Sequence, residues 1–141
     1  MIRNRSAPPF SVTPVLSYPD VLAAAAWLEL AFGFVEHVRI GDHRVQMGVG
    51  DGAIVLTDAT NGRTAPEAES SHSVMVRVSD IDAHHRRTMA AGARVLSNPA
   101  DHPYGERQYS AMDLAGHHWT FTESIADVAP EEWGGTTVTP W

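Results

Sequence analysis

The chain has no cysteine, which excludes a disulfide framework, a cysteine-ligated zinc site and thiol chemistry. That absence fits a reducing compartment, and a cytoplasmic location is the expectation. There is no apolar run near the ~20 residues that a membrane-crossing helix requires. Residues 1–11 carry Arg3 and Arg5 but no apolar stretch of the kind a secretion signal uses, so export is not expected either. Basic charge is scarce: Lys+Arg 10 against Asp+Glu 17 gives a formal net charge of −7, which disfavours nucleic acid as a partner. The eight histidines include no His-x-His or His-x-x-x-His pair, and no nucleophile and base are paired by pattern.

What the 141 residues do have is 43% hydrophobic content, enough for one domain or two half-domains sharing a core, and a pattern written twice. An extended apolar segment ends at Asp20, and another ends 60 residues later at Asp80. A helix follows each aspartate and stops at a glycine, in Ala31-Phe32-Gly33-Phe34 and then in Ala90-Ala91-Gly92-Ala93. Strands return through Asp- and Gly-containing turns, Asp51-Gly52 and then Asp113 to Gly116. A long internal repeat of this kind largely decides the fold.

The pattern divides the chain into an irregular arm (1–11), a first module (12–58), a linker (59–71), a second module (72–124) and a tail (125–141). In the first module, strands are predicted over 12–18, 34–40, 44–49 and 53–57, with the helix between Asp20 and Gly33. In the second, strands are predicted over 73–78, 94–96, 107–112 and 118–122, with the helix over 81–91 and a long loop over 97–106. The fold class is α+β: two tandem βαβββ modules forming a curved eight-stranded mixed sheet, helices outside and a concave cleft inside. One module cannot bury both its helix stripe and its other sheet face alone, and binding groups concentrate in such a cleft.

Two stretches carry a resemblance. Tyr104-Gly105-Glu106-Arg107-Gln108-Tyr109, then Asp113-Leu114-Ala115-Gly116-His117-His118-Trp119-Thr120-Phe121, resemble the aromatic-Gly-x-Arg run and Asp-Pro-x-Gly-His turn of the vicinal oxygen chelate superfamily, the glyoxalase/bleomycin-resistance/dioxygenase proteins. Leu114 replaces the usual proline. Ala31-Phe32-Gly33-Phe34 and Val76-Arg77-Val78-Ser79-Asp80-Ile81-Asp82-Ala83 add support, and the resemblance covers about residues 12–123. It implies paired modules and a homodimer. Activities in the superfamily range from metal-dependent lyases, isomerases and dioxygenases to metal-free proteins that sequester antibiotics.

The resemblance also implies where a metal would sit: at the start of each module's first strand and on its last strand. Counting from the aspartates and turn glycines gives Thr13, Leu56, Ser73 and Thr120. Mid-row divalent metals favour imidazole and carboxylate, and none of these four residues supplies either. A slip of one residue brings in His72 for Ser73 and Val55 or Thr57 for Leu56, still short of a ligand set. No cofactor is therefore expected, and a divalent metal stays as the lesser alternative, with His118, His72 and Gln46 as displaced ligands of an enzyme.

The candidate ligand-binding residues are Gln46, Tyr104, Arg107, Tyr109, Ser110, His118 and Thr120. Gln46 lies in an apolar strand and must find a partner, a ligand, a water or Ser110, because an unmet buried amide costs about 1–3 kcal/mol. Arg107 either clamps a planar acceptor or fixes its loop by pairing with Asp113 or Glu106. Tyr104 and Tyr109 either stack on a ligand or complete a dimer surface. Strand alternation sends Trp119 and Phe121 to the core when Thr120 faces the cleft. His84 and His85 are expected on a solvated helix face, His117 in a turn bonding backbone, and Glu123 pointing outward. The expected function is sequestration of a small molecule, such as an antibiotic or another natural product, in a metal-free cleft.

Overall fold

The structure, a computed structural model, describes residues 2–58 and 72–141. The predicted linker, 59–71, lies outside the described residues. The first module runs β1 (Val15–Ser17), α1 (Val21–Phe32), β2 (Val35–Ile40), β3 (Arg44–Val49) and β4 (Gly52–Thr57). The second runs β5 (Val74–Arg77), α2 (Ile81–Ala90), β6 (Arg94–Asp101), β7 (Glu106–Met112) and β8 (His118–Ser124). Each module forms its own four-stranded sheet, in the orders β1-β4-β3-β2 and β5-β8-β7-β6. In each sheet the first strand pairs parallel with the last and the other pairs are antiparallel.

The repeat is visible at the level of single residues. Val15, Val55 and Gln46 lie side by side across the first sheet, and Met75, Thr120 and Ser110 lie side by side at the matching place in the second.

Both helices start as the aspartates predict. Asp20 accepts a hydrogen bond from the Ala23 N–H, and Asp80 accepts one from the Ala83 N–H. Gly33 closes α1 in the left-handed region at φ 78°. Glu123, expected to point outward, instead accepts from the Ile81 N–H at 3.0 Å and so caps α2 a second time.

The two helices are joined through backbone carbonyls. The last four carbonyls of α1 have no partner within the helix. Arg87 donates to the carbonyls of Glu29 and Leu30, both at 2.9 Å. Thr88 Oγ1 reaches the Ala31 carbonyl at 3.3 Å, and His84 Nε2 reaches the Phe32 carbonyl at 3.0 Å. The polar stripe of α2 is thus a cap for α1. His84, expected in solvent, is half-buried against Phe32 and Phe121, with ring centroids 6.2 and 4.2 Å away.

One aromatic cluster ties the modules together. Phe32, 3% exposed, packs edge-on against Phe34, Trp119 and Phe121, with centroids 4.8–5.7 Å away. Trp119 and Phe121 are fully buried, as the alternation predicts.

The predicted loop over 97–106 is mostly strand. β6 continues to Asp101, with register shifts between Val95 and Ser97 and between Ser97 and Ala100. Pro99 sits inside the second shift on an edge strand, where its missing N–H interrupts no inner pairing. Pro99 and Asn98 signalled a loop, and the structure uses them as bulges.

Candidate functional site

In each sheet, one face lies under its helix and the other faces away. On β7 and β8 the buried residues Tyr109, Ala111, Trp119 and Phe121 belong to the core, so Glu106, Gln108, Ser110, His118, Thr120 and Thr122 point to the opposite, outward face.

That outward face of the second module is a ladder of paired polar side chains. Ser110 Oγ and Thr120 Oγ1 share a hydrogen bond at 3.0 Å. One step along, Gln108 Nε2 donates to Thr122 Oγ1 at 3.1 Å, and the Thr122 hydroxyl donates to Glu106 at 2.8 Å. Arg77 closes the ladder on Glu106 at 2.9 Å and also bonds the Ser124 hydroxyl. Burial alone would raise the Glu106 carboxyl; hydrogen bonds from Ser124, Thr122 and Arg77 outweigh it and hold Glu106 below the usual carboxylate range, so it stays charged. His118 lies on the same face beside Met112, and its Nε2 is buried with no hydrogen-bond partner among the described residues.

Tyr104 stands at the end of this ladder, donating to Gln108 Oε1 at 3.0 Å. Its ring stacks on His102, with centroids 5.1 Å apart and planes 9° apart, and Trp133 packs on it at 5.1 Å. The tail therefore docks through Trp133 beside the ladder. Gly105, at φ 82°, holds the turn beneath. A Cβ there would lie 2.4 Å from the Ala126 carbonyl oxygen.

The first module's outward face has a different chemistry. Its matching row is Val15, Val55, Gln46 and Val38. Gln46 is 8% exposed, and its amide donates to the Ser6 carbonyl of the arm at 3.0 Å. The partner of Gln46 is thus the arm, where a ligand, a water or Ser110 was expected. A groove of about 220 Å³ borders both modules, with Val12, Ala53, Met75 and Arg77 among its walls.

Two of the predicted ligand-binding residues face the other way. Tyr109 is fully buried beneath α2, because it shares the alternation of Trp119 and Phe121. Its hydroxyl lies 2.5 Å from His84 Nδ1 and 2.8 Å from Thr88 Oγ1. The Phe32 carbonyl can only accept, so His84 carries its proton on Nε2 and Nδ1 accepts from Tyr109. Burial lowers the His84 pKa, opposed by the Phe32 bond and aided by Arg87; burial also pushes the Tyr109 phenol up to about 12. Arg107 points to the same side and pairs with Asp82 and Asp101, both at 3.0 Å, rather than with Asp113 or Glu106. It fixes β7 to α2 and to the edge strand. The candidates left on outward faces are Gln46, Ser110, His118 and Thr120, with Tyr104 at the margin. Sequence reading missed Glu106, Gln108 and Thr122, though their period-two spacing from Ser110 and Thr120 was the signal.

The Asp113–His117 turn holds the modules together. Asp113, 6% exposed, accepts from the Tyr18 hydroxyl at 2.6 Å, from Trp119 Nε1 at 3.1 Å, and from the N–H groups of Ala115 and His117 at 3.0 Å. His117 Nε2 donates to the Ser17 carbonyl at 2.7 Å, the backbone bond expected of it. Ser17 ends β1 and Tyr18 follows it, so the second module's turn grips the end of the first module's opening strand.

With the turn, the ladder and the paired modules in view, the sequence profile of the Glyoxalase/Bleomycin resistance protein/Dioxygenase superfamily matches residues 12–121. The chain belongs to that superfamily. Among solved structures, TioX from Micromonospora sp. ML1 is 34% identical, with 82% of this chain and 100% of TioX covered at a TM-score of 0.67. The fosfomycin resistance protein FosX of Listeria monocytogenes shares the fold at 14% identity, covering 89% of this chain and 96% of FosX at a TM-score of 0.68. An uncharacterised Mycobacterium bovis protein is 32% identical over 60 residues, 43% of this chain and 40% of that protein. The match thus spans well under half of that relative's length.

Of the positions to which the resemblance points for a metal, Thr120 lies on the outward row bonded to Ser110, and Thr13 and Ser73 stand just before β1 and β5. The row carries Val15, Val55 and Gln46 in one module and Met75, Thr120 and Ser110 in the other. Leu56, reached by counting from the turn glycine, is fully buried in the core instead. Gly52 already belongs to β4, whereas Gly116 precedes β8 by two residues, so the two counts start from different places. Among the described residues, no three His, Asp or Glu side chains converge as a metal cluster. This donor set does not fit a mid-row divalent metal.

Proposed function

We propose that this superfamily member binds and sequesters a small molecule, an antibiotic or another natural product, on the outward faces of its two modules and without metal chemistry. The observation that carries this reading is the outward row itself: Val15, Val55 and Gln46 with Met75, Thr120 and Ser110 offer aliphatic carbons, a thioether, an amide and two hydroxyls. Such groups hold a neutral or amide-rich ligand by shape and hydrogen bonding and leave a metal poorly solvated.

Exposed apolar side chains beside these faces, Val12 at 81% and Met75 at 62%, favour a second copy closing the cleft as a homodimer. The likeness to a fosfomycin resistance protein supports a natural product as ligand, at the level of the fold. Among the described residues no helix is long and apolar enough to cross a membrane.

The test is a panel of antibiotics and related natural products, followed by tryptophan fluorescence and thermal melting, with metal content and sedimentation measured on the same preparation. A ligand present at 100 times its Kd stabilises by about 2.7 kcal/mol, which raises Tm by about 10 °C for a chain of this size. Stoichiometric metal that is lost in His118→Ala would overturn the metal-free reading. A panel that leaves Tm and emission unchanged would remove the support for sequestration.

A further inference from the structure

The arm, residues 2–11, lies outside the part of the chain that matches the superfamily profile, which begins at residue 12. It nonetheless reaches the row where a ligand is proposed to sit. Gln46 projects from β3 to the outward face, between Val45 and Met47 that point into the core. Its neighbours across the sheet are Val38 and Val55, and Val15 follows. On this apolar floor the amide is the polar group, and it donates to a peptide carbonyl, that of Ser6. The arm is folded for that contact: the Ala7 N–H bonds the Asn4 carbonyl, and the Ser6 N–H bonds Asn4 Oδ1 at 3.0 Å. Ser6, Ala7 and their turn are presented to the sheet as a short bound peptide would be.

Among the described residues, no such occupant lies on the second module's matching residue. Ser110 pairs with Thr120, and both remain half-exposed. The two faces therefore differ in state as well as in chemistry. One is occupied by a peptide segment of the chain, and the other is uncovered by the described residues.

The hold on the arm is limited: Ile2 is 92% exposed, and Phe10, 41% exposed, is the large apolar residue that buries part of its surface. A single amide–carbonyl bond is worth about a fivefold bias at 25 °C. A competing carbonyl on the same floor would displace it.

We propose that the first outward face is a site for a peptide-like, amide-bearing ligand, and that the arm is its resident stand-in, displaced when such a ligand binds. This rests on the proposed sequestering function and names the ligand chemistry of that same face. Gln46 is the specificity residue: its N–H reads a carbonyl, and the valines accept the flat apolar part beside it.

The absence of cysteine allows a clean experiment. Arg3→Cys in the full chain gives one attachment point for a nitroxide label, at an exposed residue. The label should be slowed in the parent protein. Gln46→Glu, nearly the same shape without the donor, and Gln46→Leu should each shift the held-to-free ratio about fivefold towards free. A synthetic peptide with the sequence of residues 2–11, added in trans, should free the label in the parent and have no effect in Gln46→Glu. Circular dichroism melts establish that each variant is folded. A label equally mobile in parent and variants overturns the proposal, as does a label indifferent to millimolar peptide. Because the probe is the arm's own peptide, a failed natural-product panel leaves this result standing and counts only against sequestration.

Discussion

Tyr18→Phe tests the joint between the modules. The substitution removes a hydroxyl and leaves the ring's volume in place, so it opens no cavity. It deletes one 2.6 Å bond to Asp113 and leaves that carboxylate with Trp119 Nε1 and the N–H groups of Ala115 and His117. A buried bond to a charged acceptor contributes about 1.5–3 kcal/mol, so a loss of about 2 kcal/mol is expected. In urea melts with m near ~2 kcal/mol/M that is a fall of about 1 M in midpoint. Asp113→Ala should cost more, about 4 kcal/mol, because it strands the buried Tyr18 and Trp119 donors as well. Alkali gives a second reading. Burial, followed by the charge of Asp113 and its hydrogen bond, raises the Tyr18 pKa well above the usual 10.0. The neutral phenol is then favoured by the folded state, so its contribution is complete below pH 10 and is lost as pH rises beyond it. Tyr18→Phe should flatten that alkaline limb. A Tyr18→Phe protein within 0.5 kcal/mol of the parent, or an Asp113→Ala protein no weaker than Tyr18→Phe, would refute the joint.

Two further outcomes follow from the core. Phe32→Ala removes the ring at the centre of the aromatic cluster and should cost about 3–5 kcal/mol, read from denaturant midpoints. The depressed His84 pKa means that the folded state favours neutral imidazole. That contribution is complete above the ordinary value of 6.5 and falls away as pH drops below it, so stability should decline from pH 7 towards pH 5. His84→Gln keeps a donor for the Phe32 carbonyl and should show a shallower decline over the same range. An identical slope in parent and variant would remove His84 from the account.

Much of the fold was legible because the repeat is written in residues with local, fixed jobs. Aspartates cap the next helix, Gly33 accepts the left-handed conformation, and period-two alternation assigns Trp119 and Phe121 to the core. The same alternation also carried the site further than the motif did. Residues in step with Thr120, namely His118 and Thr122, share its face, whereas Arg107 and Tyr109 stand in a loop-and-strand motif that suggested ligand contact and point to the helix side. Counting from turn glycines failed at Leu56, since one turn glycine lies inside its strand and the other outside.

The sequence by itself determined the paired modules and their helix limits, because each depends on residues close together in the chain. Only the tertiary structure decided which polar residues are spent on structure. His84 looked solvated, yet together with Arg87 and Thr88 it bonds the carbonyls that end a helix more than fifty residues away. Gln46 looked like an open cavity donor, and its partner is a carbonyl forty residues back in the arm. A buried donor or acceptor must be matched, but the pattern of neighbours along the chain does not say by what. That choice is made where distant segments meet.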